Sequence, residues 1–414
     1  MKPNILENLN QPAVLENMYR GNKLQFKRNF LELYPEISEH PVAQTWHARL
    51  QTERDGLSWG ASGELILVCI ATLIAFIVAR APELFSLDES FYYSRNLSFT
   101  VFPLLGIYFG WKNKLTYKTW IIPALILVSS ILFINLLPDN EKSDTVFLSI
   151  IHLPLLLWAL VGYMYTGGLF SGYQRRVDFL RFNGDLLVLV TVLYIAGAIL
   201  TALTLGLFSI INVDITDFYF KYVVIWGLVA APILAAYLIR MNPSLVANVS
   251  PVVAQLFTPL VLVTLSVYLV AMLGSGENPY KDRDFLIIFN IMLIGVMAIV
   301  LFSLAEWLSK ARKGWGSFIL FALVALSILV NGIALSAILF RIGSWGITPN
   351  RLAVLGGNGL ILANLLLIAY YLLRSLTGKY ETERIERSIA WFLPLYFSWC
   401  AVVVFLFPLL FWLK

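Results

Sequence analysis

The sequence predicts an all-α, polytopic transmembrane helix bundle of about eleven helices, N-in and C-out, with a small helical cytoplasmic N-terminal segment. Composition is the first reason. The 414 residues are 59% hydrophobic and 13% charged, whereas soluble domains hold about 45–50% apolar and about 25% charged residues. The second reason is segment length. Apolar runs recur at the ~20 residues that a helix needs to cross a hydrocarbon core of ~30 Å. They are uniformly apolar, without the alternation of a membrane barrel, and lipid cannot satisfy an open backbone. The third reason is that Lys and Arg alternate from loop to loop. This composition excludes a disordered chain, a disulfide scaffold and a basic-patch nucleic-acid binder.

Residues 1–60 are the one sizeable polar part, and 61–414 form the transmembrane domain. The polar segment is mixed in charge and lacks the pattern of a cleavable signal peptide. It predicts amphipathic helices near 12–20, 22–34 and 41–54. Leu15, Met18, Tyr19, Leu24, Phe26, Phe30, Leu31, Leu33 and Tyr34 supply the apolar stripe, punctuated by Pro35 and Pro41. Such a segment makes a marginal core alone, so packing on inner loops, a second copy or a protein partner is expected. The membrane runs are 63–80, 96–111, 119–137, 145–167, 185–211, 218–240, 250–273, 284–308, 315–340, 351–373 and 389–413. Cys69 and Cys400 sit within apolar runs and act as small hydrophobes.

Threading the loops alternately places 21 of the 30 Lys and Arg residues on the N-terminal side and 9 on the other. The positive-inside rule then puts the N-terminus in the cytoplasm and the C-terminus outside. The outer face carries 11 of the 25 acids and is slightly acidic. The basic inner face suits anionic lipid.

Two stretches are distinctive. One comprises Leu15-Glu16-Asn17-Met18-Tyr19-Arg20, Phe26 to Pro35 and Trp46-His47-Ala48-Arg49-Leu50. The other runs from Phe340 to Gly356 and includes Gly346-Ile347-Thr348-Pro349-Asn350-Arg351. Together they resemble a bacterial family of polytopic membrane proteins defined as a domain of unknown function, over nearly the whole chain. The resemblance implies a bacterial inner-membrane protein and supplies no activity or catalytic residues.

Intramembrane charge usually marks function. Glu64, Arg80, Arg240, Glu306 and Arg341 all fall at helix ends, within snorkelling reach, and no charge lies near a helix midpoint. That argues against a proton pump with a buried carboxylate relay. The uncharged polar interruptions are His152, Gln255, Asn290, Asn331, Asn358 and Asn364. By topology His152, Asn290, Asn331 and Asn358 fall in the outer half, roughly 10 Å deep at about 1.5 Å per residue. They read either as interhelical glue or as the lining of a polar cavity. His152 precedes Pro154, which frees a backbone carbonyl. His40 and His47 match no metal spacing, and no metal or cofactor is expected.

The loop Arg341–Arg351 carries two arginines and no acid. Gly343, Gly346 and Pro349 permit tight turns, and Trp345 suits an interface. Arginine binds phosphate or carboxylate bidentately. Arg341, Arg351 and Trp345 are therefore candidates for an anionic group, with His152, Asn290, Asn331 and Asn358 below them. The alternative is a compact turn whose arginines touch lipid headgroups. Function reads first as a transporter, channel or flippase-like carrier of a small or lipid-linked anion. The alternatives are a membrane-embedded transferase using Asp88-Glu89 at the outer face, and a sensor or assembly subunit that binds a partner through residues 1–60. No nucleophile elbow, P-loop, zinc-protease motif or dinucleotide fingerprint appears.

Overall fold

A computed structural model describes residues 2–21, 23–52, 62–140, 142–168, 172–210, 212–242, 249–275, 283–309, 315–376 and 382–413. Among them every regular element is helical. The chain divides into two compact units, Met1–Gly60 and Ala61–Lys414.

The first unit holds α1 (Lys2–Glu7), α2 (Pro12–Gly21), α3 (Lys23–Ile37) and α4 (Pro41–Thr52). The last three are the expected helices. The six residues of α1 are too short to register as a periodic pattern. Leu15, Tyr19, Phe26, Phe30 and Leu33 of the stripe are buried, joined by Ile5, Leu9, Ala43, Trp46 and Leu50. Leu31 is exposed, one step of about 100° round the helix from Phe30. Trp46 centres the core, its ring 5.1 Å from Phe26 and 5.5 Å from Tyr19. Arg49 lies over Trp46 at 4.6 Å and pairs with Glu16 at 2.6 Å. Both histidines make local contacts: His47 stacks on Tyr34, and His40 hydrogen-bonds Asn10.

The second unit begins with α5 (Ser62–Ala79), α6 (Ala81–Phe85), α7 (Glu89–Asn96), a 3-10 turn at Leu97–Thr100, α8 (Phe102–Lys112) and α9 (Tyr117–Leu136). Next come α10 (Asp144–Thr166), α11 (Tyr173–Ile210), α12 (Thr216–Phe218), a π-turn at Tyr219–Val224 and α13 (Ile225–Met241). The unit ends with α14 (Val249–Ser275), α15 (Arg283–Ser309), α16 (Trp315–Trp345), α17 (Pro349–Leu376), α18 (Thr382–Ala401), a π-turn at Val402–Leu406 and α19 (Phe407–Leu410).

Among the described residues, eight helices are long and apolar enough to cross a membrane, rather than the eleven expected. Gly63–Ala79 and Asn290–Ala305 are apolar but shorter. The run 96–111 is a 3-10 turn followed by the 11-residue α8. Two features break it. Pro103 fixes a helix start, and Asn96 is tied by reciprocal 2.9 Å amide bonds to Asn135. The side chains of Glu306 and Trp307, and residues Lys310, Arg312, Lys313 and Lys379, lie outside the described residues.

Two apolar cores organise the second unit. One joins α5, α8, α10, α11 and α13 around Tyr108, Phe109, Phe179 and Tyr237. The other joins α11 and α14–α18 around Val300, Leu323, Val324, Ile368 and Ile389. Helix α11 serves both, since Val177 and Leu180 face one core while Phe179 and Phe182 face the other.

Prolines lock neighbouring helices together. A proline has no N–H, so the carbonyl four residues earlier lacks its helical donor. Pro232 does this to Leu228, and the Tyr194 hydroxyl of α11 donates to that carbonyl at 3.0 Å. Pro394 does it to Ala390, which accepts from Arg176 Nη1 at 3.1 Å. Pro408 does it to Val404, which accepts from the Ser149 hydroxyl at 2.9 Å. We predict that Tyr194→Phe lowers unfolding free energy by about 1–3 kcal/mol, measured by thermal or denaturant unfolding in detergent. In a Pro232→Ala background the same change should cost almost nothing, because the helix then supplies its own donor. An equal cost in both backgrounds would sink the assignment.

Candidate functional site

Helices α15, α16 and α17 bring three of the expected polar residues into one chain of hydrogen bonds. Asn358 Nδ2 on α17 donates to Asn290 Oδ1 on α15 at 2.7 Å. Asn331 Nδ2 on α16 donates to the Asn358 backbone carbonyl at 3.2 Å. Asn331 and Asn358 are buried, at 0% and 3% exposure. Because the partner of Asn331 Nδ2 is a carbonyl, which only accepts, the amide orientation is fixed. Its Oδ1 is then buried with no hydrogen-bond partner among the described residues. Asn364, farther along α17, repeats the arrangement. Its Nδ2 reaches Tyr396 Oη at 2.8 Å, and its Oδ1 is also buried without a partner. Gln255 is exposed on α14.

Local packing explains why α17 can come so close to its neighbours. A Cβ at Gly356 would overlap the Trp399 indole. Trp399 Nε1 donates across to the Ala353 carbonyl at 3.3 Å.

The expected loop Arg341–Arg351 is mostly helix. Helix α16 continues through Trp345, and the turn is only Gly346–Thr348. Gly346 adopts φ +79°, which lets its N–H close back on Ile342 O at 2.9 Å. Thr348 Oγ1 accepts from the Arg351 N–H. Arg351 Nη1 donates to the carbonyls of Trp345 and Gly346 at 3.0 and 2.6 Å. Arg341 and Arg351 both lie over the Trp345 ring, at 5.3 and 5.7 Å. Arg351 and Asn358 are seven residues apart, on one face of α17 and about 10 Å apart along its axis. Between them on that face lie the apolar Val354 and Leu355, packed against Ala337 and Ile338.

His152 is half-buried on α10 and turns to its own helix, with Nδ1 2.8 Å from Leu148 O. A carbonyl only accepts, so Nδ1 carries the proton and Nε2 is left as an acceptor in the neutral ring. No hydrogen bond links it to the asparagines.

The helix-end charges are more deeply engaged than snorkelling requires. Glu64 is 3% exposed, paired with Lys112 Nζ at 2.6 Å and accepting from Tyr108 Oη at 2.9 Å. Arg80 is buried, paired with Glu83 and donating to Lys221 O at 2.8 Å. Arg95 was not singled out by the sequence, because it sits between an outer acidic pair and an apolar run. It is 2% exposed and donates to the carbonyls of Ile134, Leu137 and Pro138 at 2.7–2.9 Å. Burial depresses its guanidinium pKa, and the Asp139 carboxylate at 3.6 Å opposes this. Asp88 caps α7, accepting from Phe91 N at 2.7 Å. One acid of the candidate transferase pair thus has a structural task.

Among the described residues no group of three His, Cys, Asp or Glu side chains could hold a metal. Comparisons with family models, curated proteins and solved structures find no match to the chain.

An amide used purely as glue stabilises, whereas one retained with an orphaned oxygen does not. We predict that Asn331→Leu leaves the unfolding midpoint in detergent unchanged or raises it. Asn358→Leu, which strands Asn290 Oδ1, should cost about 1–2 kcal/mol. A large loss of stability in Asn331→Leu would show that the amide is structural.

Proposed function

We propose that this integral membrane protein is a transporter, channel or flippase-like carrier in a bacterial inner membrane, N-terminus cytoplasmic and C-terminus outside. Its solute is a small or lipid-linked anion that also carries hydroxyl or amide donors. The observation that carries this reading is the buried Asn290–Asn358–Asn331 chain, two turns along α17 from Arg351, with an amide oxygen that has no partner among the described residues. A buried acceptor without a donor costs about 1–3 kcal/mol. A passing donor offsets that cost, so the site favours occupancy without closing permanently on the solute. Arg341 and Arg351 supply the charge an anion seeks at the mouth. His152 and Trp345 stand as further contacts on this reading.

Helix ends meet in two sets, which supports the alternating topology. Glu64 meets Lys112, Asn113 meets Met164 and Tyr165, and Arg175 meets Thr166 at one set of ends. Arg80 meets Lys221, Arg95 meets Pro138, and Ser143 meets Leu413 at the other. The first set carries the excess of basic residues, which supports reading it as the cytoplasmic side.

The test uses proteoliposomes and two probes, radiolabelled glycerol phosphate for uptake and fluorescent phosphatidylglycerol for transbilayer movement. At least one should cross faster than in protein-free vesicles. Asn331→Leu should slow it by roughly tenfold, the worth of one hydrogen bond of about 1.4 kcal/mol. If neither probe moves faster than the blank, the carrier reading for this solute class fails.

A further inference from the structure

The turn between α16 and α17 holds a guanidinium that no described carboxylate neutralises. Arg351 uses Nη1 on the carbonyls of Trp345 and Gly346. Among the described residues its Nε and Nη2 donate to nothing, and no carboxylate lies within ion-pair distance. No Asp or Glu occurs between Arg341 and Arg351. Both arginines lie over the Trp345 indole, which is itself 52% exposed.

The surroundings identify the depth. Leu339, Phe340, Trp345 and Ile347 are all exposed, so large apolar side chains flank the open guanidinium edge. Indole and guanidinium together on an otherwise apolar helix end are what a bilayer interface selects. At that depth the abundant anion is a lipid phosphate. The Nε–Nη2 edge of a guanidinium presents two parallel N–H groups, which match two phosphate oxygens.

We infer that this turn holds the phosphate of an anionic phospholipid. Arg351 grips it through Nε and Nη2, and Arg341 adds charge from beside the same indole. The acyl chains lie along Leu339, Phe340 and Ile347. The inference deepens the carrier reading by naming the anion at its mouth, but it needs only binding and no transport.

The test titrates purified, delipidated full-length protein with phosphatidylglycerol and with phosphatidylcholine, counting retained lipids by native mass spectrometry. Phosphatidylglycerol should be preferred, and Arg341→Gln should weaken it about fivefold, the worth of one arginine near a lipid phosphate. Arg351→Gln also removes the α16 cap, so Arg351→Lys is the second variant. It keeps the charge and loses the fork, and retention should again fall. Unchanged retention in the Arg341→Gln/Arg351→Lys double variant overturns the site. Displacement of phosphatidylglycerol by inorganic phosphate also overturns it, because the ligand is then a dissolved anion. Absence of flux in the proteoliposome assay, with lipid retention intact, removes the carrier reading and leaves this one standing.

Discussion

A backbone carbonyl without a donor costs several kcal/mol in hydrocarbon, and the packing of the membrane unit follows from where those donors come from. Arginines supply many of them. Arg95 closes the end of α9, Arg175 the end of α10, and Arg351 the end of α16. Arg181 reaches Ala305 O from α11 while pairing with Asp178 and Glu386. Each such bond runs from one helix to the terminus of another, so satisfying the backbone also fixes which helix ends are neighbours. The three proline-freed carbonyls work the same way inside the helices, with Tyr194, Arg176 and Ser149 reaching across. Charge that composition assigns to topology is therefore also a structural fastener.

The fold was legible where periodicity and length speak for themselves. Long apolar runs such as 145–167 and 218–240 became α10 and the Thr216–Met241 helix, and the stripe from Leu15 to Leu33 became the core of the first unit. Failures came where short-range polarity overrode apolar content. The run 96–111 is apolar on average, yet the Asn96–Asn135 amide pair and Pro103 cut it into a turn and a short helix. Among the site residues, Asn290, Asn331 and Asn358 could be picked out as polar interruptions. Their mutual bonding could not, because it depends on the register between three helices. Arg95 was invisible, since a guanidinium aimed at three carbonyls has no sequence signature. The prolines are a signal that could have been used, because Pro232, Pro394 and Pro408 each mark a carbonyl in need of a partner.

The distribution of charge and amide across the membrane unit divides labour. Among the described side chains, Glu64 with Lys112 and Arg80 with Glu83 neutralise one another at helix ends, and Arg181 pairs with Asp178 and Glu386 in the first third of α11. The middle of the α15–α17 region is served instead by neutral amides. Neutral groups keep their hydrogen-bonding state over the whole physiological pH range. Hydrogen bonding there is insensitive to protonation.

Helix α11 gives the membrane unit an unusual mechanical property. Its N-terminal part is wedged between two cores, with Val177 and Leu180 on one side and Phe179 and Phe182 on the other, while most of the stretch from Ile195 to Ile210 is exposed. A rod clamped at one end and free at the other behaves as a lever. Neither core can shift along its clamped end without unseating that row of side chains. In a bilayer the exposed arm is therefore loaded by lipid, while the clamped end is held by protein.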